Sequence, residues 1–142
     1  MDPYASGMFK ANPYAEKTDV KGELVVVLRG KYPQRGLQLI KPKSRAVNLG
    51  EVHELIITDQ QAQPGDKVDP IAYLGFFAIT APGILVTGDR LKVAGKEVGM
   101  LSGFDETHMP NHLNIIVSGE RISGEELGLE LGADVVFQQG EY

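Results

Sequence analysis

The chain has 142 residues, 42% of them hydrophobic and 23% charged, with a formal net charge of −5. That length and composition suit one compact domain burying its own core, and the acidic balance speaks against a nucleic-acid partner, which requires a basic face. With no cysteine, disulfides and thiolate sites are excluded, and any metal must be held by nitrogen and oxygen.

Residues 1–21 are polar, carry Pro3, Asn12 and Pro13, and show neither helical nor strand periodicity. They read as an N-terminal arm preceding a single domain over residues 22–142. The arm is either a loose terminus or a latch, with Phe9 and Tyr14 docking on a neighbouring subunit of a homo-oligomer. Met1-Asp2-Pro3-Tyr4 lacks the basic and apolar regions of a secretory signal. Together with the missing cysteines this implies a cytoplasmic protein. No apolar run reaches the roughly 20 residues of a membrane helix, since even 72–79 is short and lies between Pro70 and Pro82.

From Gly22 onward the pattern is that of strands. Residues 23–29 form a β-branched run bounded by glycines. Residues 31–36 make a turn, 37–40 begin a strand limited by Pro42, and 44–49 give a short one closed by Gly50. In the strand over 51–58, alternation puts His53, Leu55 and Ile57 on one face and Val52, Glu54 and Ile56 on the other. Pro64-Gly65-Asp66 marks a surface loop. The apolar stretch 70–80 has Gly75 at its centre, the mark of a bulge or a close backbone approach. Pro82-Gly83 turns the chain, residues 84–86 continue it, and 89–93 with 97–101 make a hairpin around Ala94-Gly95-Lys96.

Leu113, Ile115 and Val117 share one face of a later strand, and His112, Asn114 and Ile116 the other. Ser123 followed three residues later by Glu126 is a capping signature and predicts a short helix through about Leu131, closed by Gly132. Residues 133–137 form a last strand. Short strands separated by Gly and Pro turns, with one late helix, predict an all-β fold, a small β-barrel with one short C-terminal helix.

Chemistry concentrates in residues 103–114, which hold His108 and His112; the third of the three histidines is His53. Neutral imidazoles bind zinc or iron well, and three of them leave coordination positions open for water or substrate. His53, His108 and His112 are therefore candidate metal ligands. Glu54 and Asp105 beside them are candidates for proton transfer or for holding an imidazole in its ligating tautomer. Two further readings stand beside this one. The histidines can build a metal-free polar site, or they can be structural, since His53 in apolar company is what a satisfied core histidine looks like. The interval from His108 to His112 suits a helix, but Pro110 disfavours helical geometry at Met109, so a turn is expected. Arg45, after Lys41 and Lys43, is a weaker candidate for anion binding. There is no Gly-x-Ser-x-Gly element to support a nucleophilic serine.

The order Pro82-Gly83, Gly88, Val98-Gly99, Phe104-Asp105, Pro110 and Val117-Ser118-Gly119 resembles the C-terminal part of the glucitol/sorbitol-specific enzyme IIA components of the bacterial sugar phosphotransferase system. The resemblance implies a small β-barrel. Those carriers are phosphorylated on a histidine upstream of the matched region, and residues 71–80 contain none. The run from His53-Glu54-Leu55-Ile56 through Gly75-Phe76 to Phe104-Asp105 and His108-Met109-Pro110-Asn111-His112 resembles an uncharacterised family of small bacterial proteins, which implies no activity. The resulting expectation is a site for a small polar molecule, catalysing a hydrolysis, elimination or isomerisation. The alternatives are a non-catalytic ligand-binding or phosphocarrier-like module and a structural subunit.

Overall fold

The computed structural model describes residues 17–140, so the proposed latch residues Phe9 and Tyr14 lie outside the described residues. Twelve strands follow in order: β1 (Val20–Val27), β2 (Lys31–Tyr32), β3 (Leu37–Gln38), β4 (Ser44–Val47), β5 (Val52–Thr58), β6 (Lys67–Val68), β7 (Ile71–Ala81), β8 (Gly83–Val86), β9 (Arg90–Val93), β10 (Lys96–Asp105), β11 (Asn114–Ser118) and β12 (Asp134–Gln138). The all-β expectation holds. The main sheet runs β1-β12-β9-β10-β11-β5-β7-β2, and β1 also pairs with β7, so the ladder returns to its first strand. β11 and β5 run parallel. Two small pairs, β3 with β6 and β4 with β8, complete the fold.

Alternation decides what each side of this ladder buries. Leu55 and Ile57 of β5, Phe77 of β7, Phe104 of β10 and Ile115 and Val117 of β11 join the main core. Their neighbours Ile56 and Ile116 point outward and form a second cluster with Leu37, Leu39, Val68 and Ile71. Six of the seven β5 residues are thus buried, because the outer side is roofed by the β3–β6 pair. Full burial of each such side chain contributes about 1.5–3 kcal/mol of transfer free energy.

Glycine makes the close approaches possible. A Cβ at Gly103 would stand 3.0 Å from Leu39 Cδ1, so the bare backbone of β10 is what lets Leu39 lie against it. A Cβ at Gly75 would strike the Val26 carbonyl, and the β7 ladders shift register on both sides at this level, between Leu24 and Val26 of β1 and between Leu55 and Ile56 of β5. The hairpin around Ala94 and Gly95 forms, with Lys96 opposite Val93 and both turn residues at positive φ, 52° and 81°.

The helix expected to follow Ser123 is absent; residues 124–128 are a turn. Its start signal is real, for the Glu126 N–H donates to Ser123 Oγ at 3.2 Å and the Ser123 N–H to Glu126 Oε1 at 3.3 Å. The stop signal follows within one turn. Gly128 sits at φ 70°, the Leu129 N–H reaches back to the Gly124 carbonyl and the Gly128 N–H to that of Glu125. This is the pattern that closes helices, so cap and terminator meet with no helix between them. Among the described residues no helix is long and apolar enough to cross a membrane.

Candidate functional site

The histidine-bearing segment leaves β10 at Asp105 and enters β11 at Asn114 as a turn, tightened by Met109 N–H to Glu106 O (3.0 Å) and Asn111 N–H to His108 O (2.9 Å). Met109-Pro110 is cis. Two side chains anchor this turn. Asp105, 1% exposed, accepts the Thr107 N–H at 2.9 Å and the Asn114 amide at 3.1 Å on Oδ1, and the Gln38 N–H at 3.0 Å on Oδ2. Burial pushes its carboxyl up, but the combined hydrogen bonds from Thr107, Gln38 and Asn114 outweigh that and hold it below the ordinary aspartate value. His53 is the other anchor. Its Nδ1 accepts the Leu113 N–H at 3.0 Å and its Nε2 lies 3.0 Å from Glu51 Oε1. A backbone N–H can only donate, so Nδ1 carries the lone pair and Nε2 the proton, which goes to Glu51.

On the outer side of the ladder the turn brings a different set together. The in-register pairing of Asn114 with Glu54 sets His112 beside the Glu54 side chain, with Nε2 3.3 Å from Glu54 Oε1 and both side chains nearly buried. The two atoms are close but not hydrogen-bonded in this geometry, and Nε2 is buried without a hydrogen-bond partner. Asn111 Nδ2 stands 3.1 Å from His112 Nδ1, which leaves the neutral ring's proton on Nε2, facing the carboxylate. The Phe76 edge meets His112 at 5.0 Å between centroids, and the His108 ring lies 5.0 Å away, tilted by 33°. Beyond it, Arg35 Nη2 approaches His108 Nε2 at 3.5 Å.

The electrostatics of this group follow from its position. Burial pushes the Glu54 carboxyl above the ordinary glutamate value, while the nearby His108 and Arg35 charges pull it partly back. A carboxyl so raised, touching an imidazole, holds a proton more readily than an exposed glutamate and can pass it on. Arg35 makes no ion pair with a carboxylate among the described residues, whereas Arg45 is paired with Glu106 at 2.9 Å.

Against known families, one match covers residues 14–138. The chain belongs to a family of unknown function (DUF6917). No curated protein and no solved structure matches it, so a relation to the sugar phosphotransferase components is not shown.

The five residues named from sequence fall into two groups. Glu54, His108 and His112 are brought together; His53 and Asp105 anchor the turn that carries the two histidines. Both ring nitrogens of His53 are taken by Leu113 and Glu51, and among the described residues no three His, Cys, Asp or Glu side chains are placed to hold a metal ion. Among the described residues these donors do not fit a zinc or iron centre built on three histidines. Asp105 has both oxygens occupied by hydrogen bonds from Thr107, Asn114 and Gln38. Arg35 and Phe76 are the residues that sequence reasoning left out: Arg35 sat in a turn with no periodicity, and Phe76 in an apolar run. A cleft of about 700 Å³ between Gln61, Asp66, Thr87, Met100 and Ser102 is lined by none of the histidines. A smaller cavity of about 150 Å³ opens beside His53, Arg45 and Asn111.

Proposed function

We propose that the ladder's return to its first strand makes a small barrel, and that its outer wall carries a metal-free acid–base site for a small polar molecule. Glu54 is the proton acceptor and donor, His112 its coupled partner, and Arg35 with His108 the cationic rim that receives the polar end of the ligand. The observation that carries this reading is the 3.3 Å contact between Glu54 Oε1 and His112 Nε2, made by two nearly buried side chains beside the Phe76 ring and the His108 imidazole. A desolvated carboxyl with a protonatable partner is the equipment of proton abstraction next to a carbonyl or carboxylate, so isomerisation or elimination fits better than hydrolysis, which would also need an activated water.

The test is solvent-deuterium incorporation. Incubating the full chain in D2O with a panel of small 2-oxo and hydroxy acids, followed by proton NMR, should reveal exchange of a carbon-bound hydrogen that Glu54→Gln abolishes and Glu130→Gln, at an exposed position, leaves in place. Exchange that persists in Glu54→Gln, or is absent across the whole panel, would overturn the assignment.

A further inference from the structure

Resting on the acid–base reading above, we infer that the site takes an amphipathic small carboxylic acid, its carboxylate at Arg35 and its apolar body laid over Phe76 and Val26. The strand registers place these residues in one row. Phe76 of β7 is opposite Val26 of β1 on one side and Glu54 of β5 on the other, and directly opposed residues on antiparallel strands project to the same side of a sheet. The row therefore runs Val26, Phe76, Glu54 along the outer wall.

Its apolar half is open to solvent. Val26 is 40% exposed and its neighbour Val25 43%. Val52, two residues before Glu54 and so on the same side, is 41% exposed and pairs with Ala78. Exposed valines on a strand surface are ordinary one at a time; here they border a buried carboxyl and a partly buried aromatic ring. The opposite half is cationic. Among the described residues Arg35 presents a planar guanidinium that approaches His108 Nε2 at 3.5 Å and pairs with no carboxylate, and such a fork matches a carboxylate in a bidentate manner. A ligand spanning from the guanidinium to the apolar row crosses Glu54, which brings the carbon next to its carboxylate to the proton-transferring group. Neither a purely polar molecule nor a purely apolar one would use both halves.

The probes are phenylacetate, acetate and 2-phenylethanol, titrated into the full chain by calorimetry and amide NMR. Phenylacetate should bind about tenfold tighter than either of the others, the factor that partial burial of a phenyl ring or one charge-assisted contact supplies. Amides of Arg35, Glu54 and Phe76 should move together. Arg35→Gln should erase the preference for the acid over the alcohol. Val26→Asp, at an exposed position, and Phe76→Leu, which keeps an apolar body, should each erase or reduce the preference for phenylacetate over acetate. Equal affinities in the natural chain, unchanged ratios in these variants, or no saturation by phenylacetate at about 10 mM, the weak end for a small ligand, would overturn the ligand class. The two proposals fail separately. Glu54→Gln should keep the binding preference while losing deuterium exchange; in the natural chain, preference without exchange removes the acid–base reading, and exchange without preference removes this one.

Discussion

His53 and Leu113, sixty positions apart, are joined by a 3.0 Å hydrogen bond from the Leu113 backbone N–H to His53 Nδ1. This bond and the reciprocal backbone bond from the Glu54 N–H to the Leu113 carbonyl at 3.0 Å fix where the histidine turn enters the sheet. Removing the imidazole leaves a buried N–H without an acceptor, which costs about 1–3 kcal/mol. His53→Ala should therefore lower stability by that amount, and the Leu113 amide should lose hydrogen-exchange protection more than the core amides of Ile115 and Val117. Undiminished protection at Leu113 would show that the ring does not hold the turn.

Glu54 makes the opposite prediction. Its folded carboxyl is raised above the ordinary value, first by burial, so between the two values the folded chain binds more protons than the unfolded one. Stability then falls as pH rises through the folded value. Glu54→Gln, which removes the ionisation, should melt higher than the natural chain at neutral pH, with the difference vanishing below the ordinary glutamate range. Because His108 and Arg35 pull the carboxyl down, His108→Ala or Arg35→Gln should raise its titration, read by carbon-13 NMR of the side chain.

Strand alternation assigns His53 and His112 each to a face of its own strand, without relating the two faces. The sequence pattern puts His53 with Leu55 and Ile57 and, on the later strand, His112 with Asn114 and Ile116; both assignments hold, the apolar sets lying in the main core and Ile56 with Ile116 in the outer cluster. What one-dimensional periodicity lacks is register. Only the parallel pairing of Asn114 with Glu54 shows that His112 shares a side with Glu54 and not with His53. Arg35 was illegible for a related reason. It reaches the site because Leu39 seats on Gly103 and the Ile40 N–H bonds the Phe104 carbonyl at 2.8 Å, contacts between segments far apart in the chain. The helix failed differently, through reading Gly132 as its terminator when Gly128 came first.

Asp105 gives a third test. Its two oxygens accept from Thr107, Asn114 and Gln38, and an asparagine in its place has a single acceptor oxygen and turns an N–H group toward at least one donor. Asp105→Asn should cost about 2–3 kcal/mol at neutral pH. The folded carboxyl lies below its ordinary value of 3.8, so its stabilisation is complete above that value and is lost as pH falls through the lower folded one. The gap between natural chain and variant, measured by denaturant unfolding, should accordingly be constant near neutrality and close below about pH 4. A gap independent of pH would mean that the charge on Asp105 is not what secures the turn.

Two glycine substitutions separate strain from collision. Gly128 is at φ 70° with nothing within 4 Å of a built Cβ, so Gly128→Ala meets only the cost of a left-handed backbone, about 1 kcal/mol. Gly75 has ordinary dihedral freedom for any residue, but its Cβ would enter the Val26 carbonyl, and that oxygen belongs to a backbone held by the β1–β7 ladder. Gly75→Ala must push the two strands apart where the row Val26, Phe76, Glu54 crosses them, at a cost of about 3 kcal/mol or more. Denaturant midpoints should rank natural chain, Gly128→Ala, Gly75→Ala in descending order, and Gly75→Ala should additionally lose amide dispersion along β1. Equal midpoints for the two variants would place the glycine requirement at Gly75 in backbone conformation and not in the close approach of β1.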